Sequence, residues 1–259
     1  MDVIYNTLTD TCPIVVHNPF EFRDWNRIVE IALNAPPCKD EPQLTILTFN
    51  NQTETNLLQR NLERLNIKHR VLGRHIAKWS NLHKVDLAFE ALETVDTPYL
   101  MACDGSDVCF LASPSEILHR FVRTGAQMLF NATYVNWPPD QTYATIEMKL
   151  HPDRAFCFLN GGVWIAHAES AKKVLHLTRE LRKDIEYKRK LEDLCRNRRP
   201  SHKELFRNSE QVSIRPIYHK CFPEVNIDSR CEIFQVLQDE PKKWKKHAFD
   251  VEQAVRIRA

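Results

Sequence analysis

Glycine and long apolar runs are both scarce in this chain of 259 residues. It contains five glycines, so a glycine that does occur is expected to mark a constraint on the backbone. No run of about 18 apolar residues is present, and the amino-terminal MDVIYNTLTDTC has neither the basic nor the apolar region of a secretory signal. The formal net charge of +2 does not favour nucleic acid or a membrane as the main partner. We therefore expect a cytoplasmic protein with no nucleic acid or membrane partner.

Cys-x-x-Cys pairs and zinc-like cysteine spacings are absent as well. Of the eight cysteines, Cys103, Cys109 and Cys157 lie in apolar runs, where a thiol behaves as a small hydrophobic group. We expect reduced, buried thiols rather than disulfides. With 43% hydrophobic and 27% charged residues, the composition is that of a globular protein with a substantial core, in one large domain or two small ones.

The central feature of the sequence is the stretch from Thr97 to Pro114, TPYLMACDGSDVCFLASP. Its first apolar run predicts a buried strand, and Gly105 permits a tight turn that brings the carboxylates of Asp104 and Asp107 to one side. Two hard oxygen ligands suit Mn²⁺ or Mg²⁺, and such ions are usually shared with the phosphate of a ligand. The alternative interpretation is an ordinary surface turn, because Asp, Gly and Ser are common turn residues.

The elements before this stretch alternate between strands and helices. The patterns predict strands over 11–18, from Leu44, from Ile67 and over 98–103, and helices over 22–34, 53–65 and 78–93. Strand, helix and strand in that order predict an α/β protein with parallel strands. Ligands of such sheets bind beyond the carboxyl ends of the strands, where Asp104 stands.

Beyond Pro114 the sequence predicts a helix over 115–122, a strand from Met128, and a second buried strand over 155–167. Asn160, Gly161 and Gly162 interrupt that strand, which indicates either close approach of the backbone to a ligand or a bulge. The segment 170–206 predicts a long charged helix or a helix pair, with a solvated face rather than a nucleic-acid patch. The basic segment 238–259, with four lysines around Trp244, is either another solvated face or a tail that contacts an acidic partner.

Several motifs in the same order resemble the glycosyltransferase domain of the procollagen lysyl hydroxylases and the related procollagen glycosyltransferase-like proteins. They are ACDGSDVCFLASPSEILHRF, AQMLFNATYVNWP, FLNGGVWIA, SEQVSIRPIY and VNIDSRCEIFQVL, between about Leu44 and Leu237. The resemblance implies one GT-A-like, Rossmann-like domain over 1–259, with a mostly parallel central sheet flanked by helices. It also implies a UDP-sugar donor, Mn²⁺ or Mg²⁺ as cofactor, and transfer of a hexose to the hydroxyl of an acceptor that the sequence does not name.

The resemblance also implies roles for individual residues. Asp104 and Asp107 match the metal ligands, and Asp107 and Glu210 are expected to act in catalysis. Ser106 stands where the family has an aromatic residue against the nucleotide. At 208–211 the family has a run of aspartates before a Gln, and here Glu210 is the one carboxylate left. The residues expected to line the sugar and donor pocket are Trp137, Asn160, Gly161 and Gly162.

Trp79 and the activity of the protein each have alternative interpretations. Trp79 offers a flat face for the donor, with core packing as the favoured alternative. A binding module without turnover competes with the enzyme, because the acidic cluster is thinned to Glu210. A nucleotidyltransferase would need an early glycine-rich phosphate loop, and no glycine precedes Gly73.

His17 is the last candidate. In the family, a Pro-Ile-Val-Val-His-like strand follows the Phe-Gln stretch and supplies a histidine to the metal. Here PIVVH stands near the amino terminus instead, from Pro13 to His17. We infer a circular permutation that delivers His17 to the same ion as Asp104 and Asp107, and termini that lie close together make such a rearrangement permissible. The alternative is a chance match of a short β-branched strand with a surface histidine.

Overall fold

The structure is a computed structural model that describes residues 3–20, 22–39, 42–196, 198–238 and 255–258. Its strands are β1 (Val3–Asn6), β2 (Val15–Phe20), β3 (Leu44–Phe49), β4 (Arg70–Leu72), β5 (Tyr99–Cys103), β6 (Val108–Phe110), β7 (Met128–Thr133), β8 (Phe158–His167), β9 (Val225–Ile227), β10 (Phe234–Gln238) and β11 (Val255–Arg258). Its helices are α1 (Trp25–Asn34), α2 (Leu57–Arg64), α3 (Leu82–Ala91), α4 (Pro114–Thr124), α5 (Gln141–Leu150), α6 (Ala168–Lys183), α7 (Ile185–Arg196), α8 (Pro200–Asn208) and α9 (Glu210–Cys221).

A six-stranded sheet with the order β4-β3-β5-β8-β7-β9 forms the centre of the fold. β8 runs antiparallel to both of its neighbours, and the other neighbouring strands are parallel. Helices α3, α6 and α9 contribute buried residues to the core on one face, and α2 and α4 do so on the other. Because both faces are covered, strands such as LTILTF of β3 are continuous apolar runs rather than alternating ones. The predicted mostly parallel, GT-A-like α/β fold is confirmed.

A second sheet of three strands brings the amino-terminal segment to the centre of the molecule. β2 lies between β10, which is parallel to it, and β6, which is antiparallel. The register places His17 opposite Val108, the residue that follows Asp107. β2 begins at Val15 rather than at residue 11, and it continues beyond His17 to Phe20. The sequence predicts that the strand over 11–18 completes the central sheet. The strand exists, displaced toward the carboxyl end, but it belongs to this second sheet, because its partners are β6 and β10.

The segments near the two ends of the described chain are also adjacent. β1 pairs antiparallel with β11, with Val3 opposite Arg258. Closeness of this kind is the geometric condition for a circular permutation. The four lysines around Trp244 lie outside the described residues.

Helix boundaries differ from the expected ones for local reasons. The helix expected over 53–65 begins at Leu57, because the Asn56 side chain accepts a hydrogen bond from the Gln59 amide and caps the first turn. The charged segment 170–206 is divided into α6, α7 and α8 instead of forming one helix or a pair. Among the described residues, no helix is both long and apolar enough to cross a membrane.

Candidate active site

The turn between β5 and β6 carries the two aspartates. The Asp104 amide donates to the Gly162 carbonyl at 2.8 Å, and the Asn18 amide donates to the Asp107 carbonyl at 2.8 Å. The turn is thereby held between β8 and β2. A Cβ on Gly105 would lie 2.6 Å from the Phe49 carbonyl oxygen and 2.1 Å from Asn56 Nδ2, so this position requires glycine.

His17, Asp104 and Asp107 form a cluster beside this turn. His17 Nε2 lies 3.3 Å from Asp107 Oδ2 and 3.8 Å from Asp104 Oδ2, and one ligand atom from each residue lies within 4.8 Å of the others. Two ligands about 2.1 Å from one ion and at right angles to each other lie about 3 Å apart, so these separations fit a single small divalent cation. The structure thus brings together the three residues expected from the sequence.

The environment of the cluster also fits a cation. His17 is 2% exposed, and within the described residues neither ring nitrogen has a hydrogen bond of normal geometry, although Nε2 keeps its 3.3 Å contact with Asp107. Buried polar atoms without a partner are uncommon in native proteins, and a metal ion would satisfy them. Burial alone lowers the pKa of His17, but the negative charges of Asp107 and Asp104 outweigh it and raise that pKa. Burial raises the pKa of Asp107, but its nearness to His17 and Lys84 brings it below the ordinary value.

β8 bends around the cluster. Phe130 of β7 lies opposite Trp164, whereas the next residue, Asn131, lies opposite Asn160, so residues 161–163 form a bulge. A Cβ on Gly162 would lie 2.3 Å from His17 Cε1 and 2.8 Å from Asp104 Oδ2. The expected interruption of this strand is therefore a bulge, and its glycine makes room for the histidine and the carboxylate.

Lys84 of α3 joins the cluster to Glu210. Its Nζ lies 2.5 Å from Asp104 Oδ1 and 3.1 Å from Glu210 Oε1, and its side chain is 11% exposed. The neighbouring negative charges of Asp104 and Glu210 outweigh the effect of burial and raise its pKa. Lys84 was not among the site residues expected from the sequence. A signal was present, because Lys84 shares one helical face with Leu87, Ala88 and Ala91, and a charge on an apolar face calls for a buried partner.

Glu210 is the first residue of α9 and is 5% exposed. Burial raises its pKa, and Lys84 opposes that rise. The next residue, Gln211, accepts a hydrogen bond from the Gly161 amide at 2.8 Å through its side-chain oxygen, and its amide nitrogen donates to the Trp137 carbonyl. The start of α9 is therefore linked both to the bulge of β8 and to the loop that carries Trp137.

That loop, residues 136–139, is fixed by buried charges. Arg215 donates from Nη1 to the Pro138 carbonyl at 3.2 Å and from Nη2 to Asn136 Oδ1 at 3.0 Å. Its guanidinium also forms two hydrogen bonds with Glu147, 2.9 Å from Nε to Oε1 and 2.6 Å from Nη2 to Oε2. Both side chains of this ion pair are almost fully buried, at 1% and 0% exposure. Trp137 thus stands on a loop whose backbone has a defined position.

An open cleft of about 540 Å³ lies beside the aspartates. Among the residues lining it are Trp79, Lys84, Asp104, Ser106 and Asp107. Trp79 is half-buried and packs against Phe49 at 6.4 Å between ring centroids, so it contributes to the core as well as to the cleft. Trp137 is not part of this lining, and its ring lies 6.3 Å from that of His202.

One comparison with known proteins identified a family for this chain. A family model described as the PLOD GT domain matches residues 40–186, more than half of the chain. The chain belongs to this glycosyltransferase-domain family. The resemblance inferred from the motifs is thereby confirmed. No curated protein matched the chain.

The PLOD GT match contains only part of the cluster. Asp104, Asp107 and Lys84 lie inside it, whereas His17 precedes its first residue and Glu210 follows its last. The structure therefore adds two side chains to the site that the family match does not include. All eight cysteines are free thiols, as expected, but only five are buried, because Cys12 is exposed and Cys38 and Cys221 are half-buried.

Proposed function

We propose that this protein is a metal-dependent glycosyltransferase that moves a hexose from a UDP-sugar to an acceptor hydroxyl. The observation that carries the proposal is the cluster of His17, Asp104 and Asp107 at the end of β5, beside an open cleft, in a PLOD GT domain. Two carboxylates and an imidazole are suitable ligands for Mn²⁺ or Mg²⁺. The cleft is large enough for part of a nucleotide, which is consistent with a diphosphate beside these ligands.

Each residue of the site has a role in this proposal. Asp104, Asp107 and His17 hold the ion, which when bound acts as a Lewis acid for the charge on the leaving UDP. Trp79 and Ser106 face the nucleotide in the cleft, although Ser106 offers no ring for stacking. The residues proposed to contact the sugar are Trp137, Asn160, Gly161 and Gly162.

Lys84 and Glu210 serve the transfer itself. Lys84 brings a positive charge to the edge of the cleft, 2.5 Å from Asp104 Oδ1, where it would stabilise the negative charge that develops on the leaving diphosphate. Glu210 is buried and carries a raised pKa, which suits a carboxylate that accepts the proton of the attacking hydroxyl. The 3.1 Å contact between the two keeps them adjacent. A base and a stabilising cation thus stand next to each other beside the two aspartates.

The test begins with Asp104→Asn, compared with Asp96→Asn, which changes an exposed aspartate outside the cleft. Calorimetry with Mn²⁺ and UDP, and release of UDP from UDP-sugars, give two separate readouts. We expect Asp104→Asn to lose Mn²⁺ binding and to slow transfer more than 100-fold, since about 3 kcal/mol of stabilisation is lost. Near-normal activity in this variant would end the metal assignment.

A binding module of the same fold is the second candidate. The observation that favours it is that Glu210, the one carboxylate at 208–211, is already paired with Lys84. Glu210→Gln distinguishes the two candidates. If Glu210 acts on the reacting groups, this variant slows turnover and leaves UDP affinity nearly unchanged. UDP binding by the unaltered protein without any UDP release from UDP-sugars would instead establish the binding module.

A further inference from the structure

A second groove lies between α3, α6, α7 and α8, and it is distinct from the cleft beside the aspartates. Its volume is about 330 Å³. Basic side chains dominate its lining. The charged residues that line it are Arg179, Arg182, Lys183, Lys188, Arg207 and the acidic Asp86.

The two arginines on α6 are held in position inside the groove. Arg179 Nε donates to Asp86 Oδ1 at 3.0 Å, and Arg182 Nη1 donates to Asp86 Oδ2 at 3.2 Å. The Arg179 guanidinium also lies over the Phe89 ring at 4.5 Å. One carboxylate shared by two guanidinium groups leaves most of their donors available, because each guanidinium has five. Arginines that are already ordered lose little entropy when they bind another carboxylate.

The charge of the surrounding helices points to an anionic ligand as well. Between residues 168 and 208 there are thirteen Lys and Arg and seven Asp and Glu, a net charge of +6, whereas the whole chain carries +2. The rest of the molecule is therefore acidic. The positive charge of α6, α7 and α8 attracts an acidic partner to these helices, and the net negative charge of the rest of the molecule repels it.

The groove also has apolar lining residues and reaches the start of α9. Tyr187, Leu191 and Phe206 line it, so it can accept an apolar side chain beside acidic ones. Ser209 and Ser213 also line it, and the Ser213 hydroxyl donates to the Glu210 carbonyl at 2.8 Å. The groove thus leads to the start of α9, where Glu210 stands.

We propose that this groove docks an acidic peptide segment of a protein acceptor. Carboxylates of the segment pair with Arg179, Arg182 and the neighbouring lysines, and an adjacent apolar side chain packs on Phe206. Docking in this place directs the following residues of the acceptor toward Glu210. The direction of the acceptor rests on the proposed function, whereas the docking itself does not.

The experiment uses a fluorescein-labelled peptide of Glu and Asp residues with one Leu and one Ser, and fluorescence anisotropy as the readout. Lys183→Glu/Lys188→Glu reverses two charges in the groove, and Lys172→Glu/Lys173→Glu reverses two exposed charges elsewhere on α6. We expect the groove variant to weaken binding about tenfold or more and the control to change it less than about threefold. Thermal melts establish that both variants remain folded.

Three results would overturn the proposal. They are equal weakening by the two double variants, no saturable binding of the peptide by the unaltered protein, and tighter binding of an oligonucleotide of the same charge. The Asp104→Asn variant separates docking from transfer. It should bind the peptide like the unaltered protein, so loss of transfer with retained binding leaves the docking site in place. Binding that fails in a protein that still releases UDP removes the docking proposal alone.

Discussion

The buried pair of Glu147 and Arg215 allows a sharp test of what holds the Trp137 loop. Glu147→Gln preserves the shape of the side chain and removes its charge, which leaves the Arg215 guanidinium buried at 1% exposure without a counter-ion. Removal of one partner of a buried pair costs about 3–5 kcal/mol. Arg215 keeps its bonds to the Pro138 carbonyl and Asn136 Oδ1, so we place the loss at the lower end, about 3 kcal/mol.

Urea unfolding and calorimetry measure this loss. For a chain of this size about 1 kcal/mol lowers Tm by roughly 2–4 °C, so Glu147→Gln should lower Tm by about 6–12 °C. Glu204→Gln, at an exposed position on α8, is the matched control and should change the free energy of unfolding by less than about 0.5 kcal/mol.

A double variant separates stability from positioning. Glu147→Met/Arg215→Met removes both charges, and replacement of a buried pair by apolar residues is often neutral or stabilising. We expect most of the stability to return, while the contacts of Arg215 to Pro138 and Asn136 stay lost and sugar transfer stays impaired. The reasoning is refuted if Glu147→Gln costs less than about 1 kcal/mol, or if the double variant is as unstable as the single one.

Three further predictions concern separate parts of the molecule. Gly162→Ala should displace the His17 ring, 2.3 Å from the added Cβ, and weaken Mn²⁺ affinity at least about tenfold, with little change in far-ultraviolet circular dichroism; unchanged affinity would contradict the packing. Burial lowers the pKa of His151 to about 4, so the native state binds fewer protons than the unfolded one below about pH 6.5. Stability should therefore fall by about 1–2 kcal/mol between pH 7 and pH 5, and His151→Gln should flatten this part of the curve; an unchanged slope in this variant would contradict the reasoning. Finally, a chain joined from residue 259 to residue 1 and opened within residues 36–41 should keep Mn²⁺ binding if the permutation is right, and complete loss of binding in a folded protein would argue against it.

The parts of the site that could be predicted are those that depend on short stretches of sequence. The apolar run before Asp104, the glycine within the turn and the interruption at Gly162 each constrain the backbone within a few residues, so the strand, the turn and the bulge could be inferred. His17 was placed by a motif together with the resemblance, since nothing local connects it with residues 87 positions further along.

The missed features depend on contacts between distant segments. Helix α9 was not predicted because Pro216 lies within it, and proline normally ends a helix. The Glu147 and Arg215 pair joins α5 to α9 across 68 positions, and no periodicity of either helix indicates the other. Lys84 was not singled out from the sequence, because its partners Asp104 and Glu210 follow β5 and begin α9, 20 and 126 positions further along the chain.

The position of β2 between β10 and β6 has a consequence for the order of folding during synthesis. β2 leaves the ribosome before either partner, and its parallel partner, β10, lies about 220 residues later. At about 5–20 residues per second that interval is about 10–40 s. Throughout that time the β-branched strand that carries His17 lacks its native neighbour on one side, so the three-stranded sheet is completed only after β10 has emerged. The family resemblance implies that in the relatives the strand equivalent to β2 follows the strand equivalent to β10. In those proteins the two strands would emerge close together.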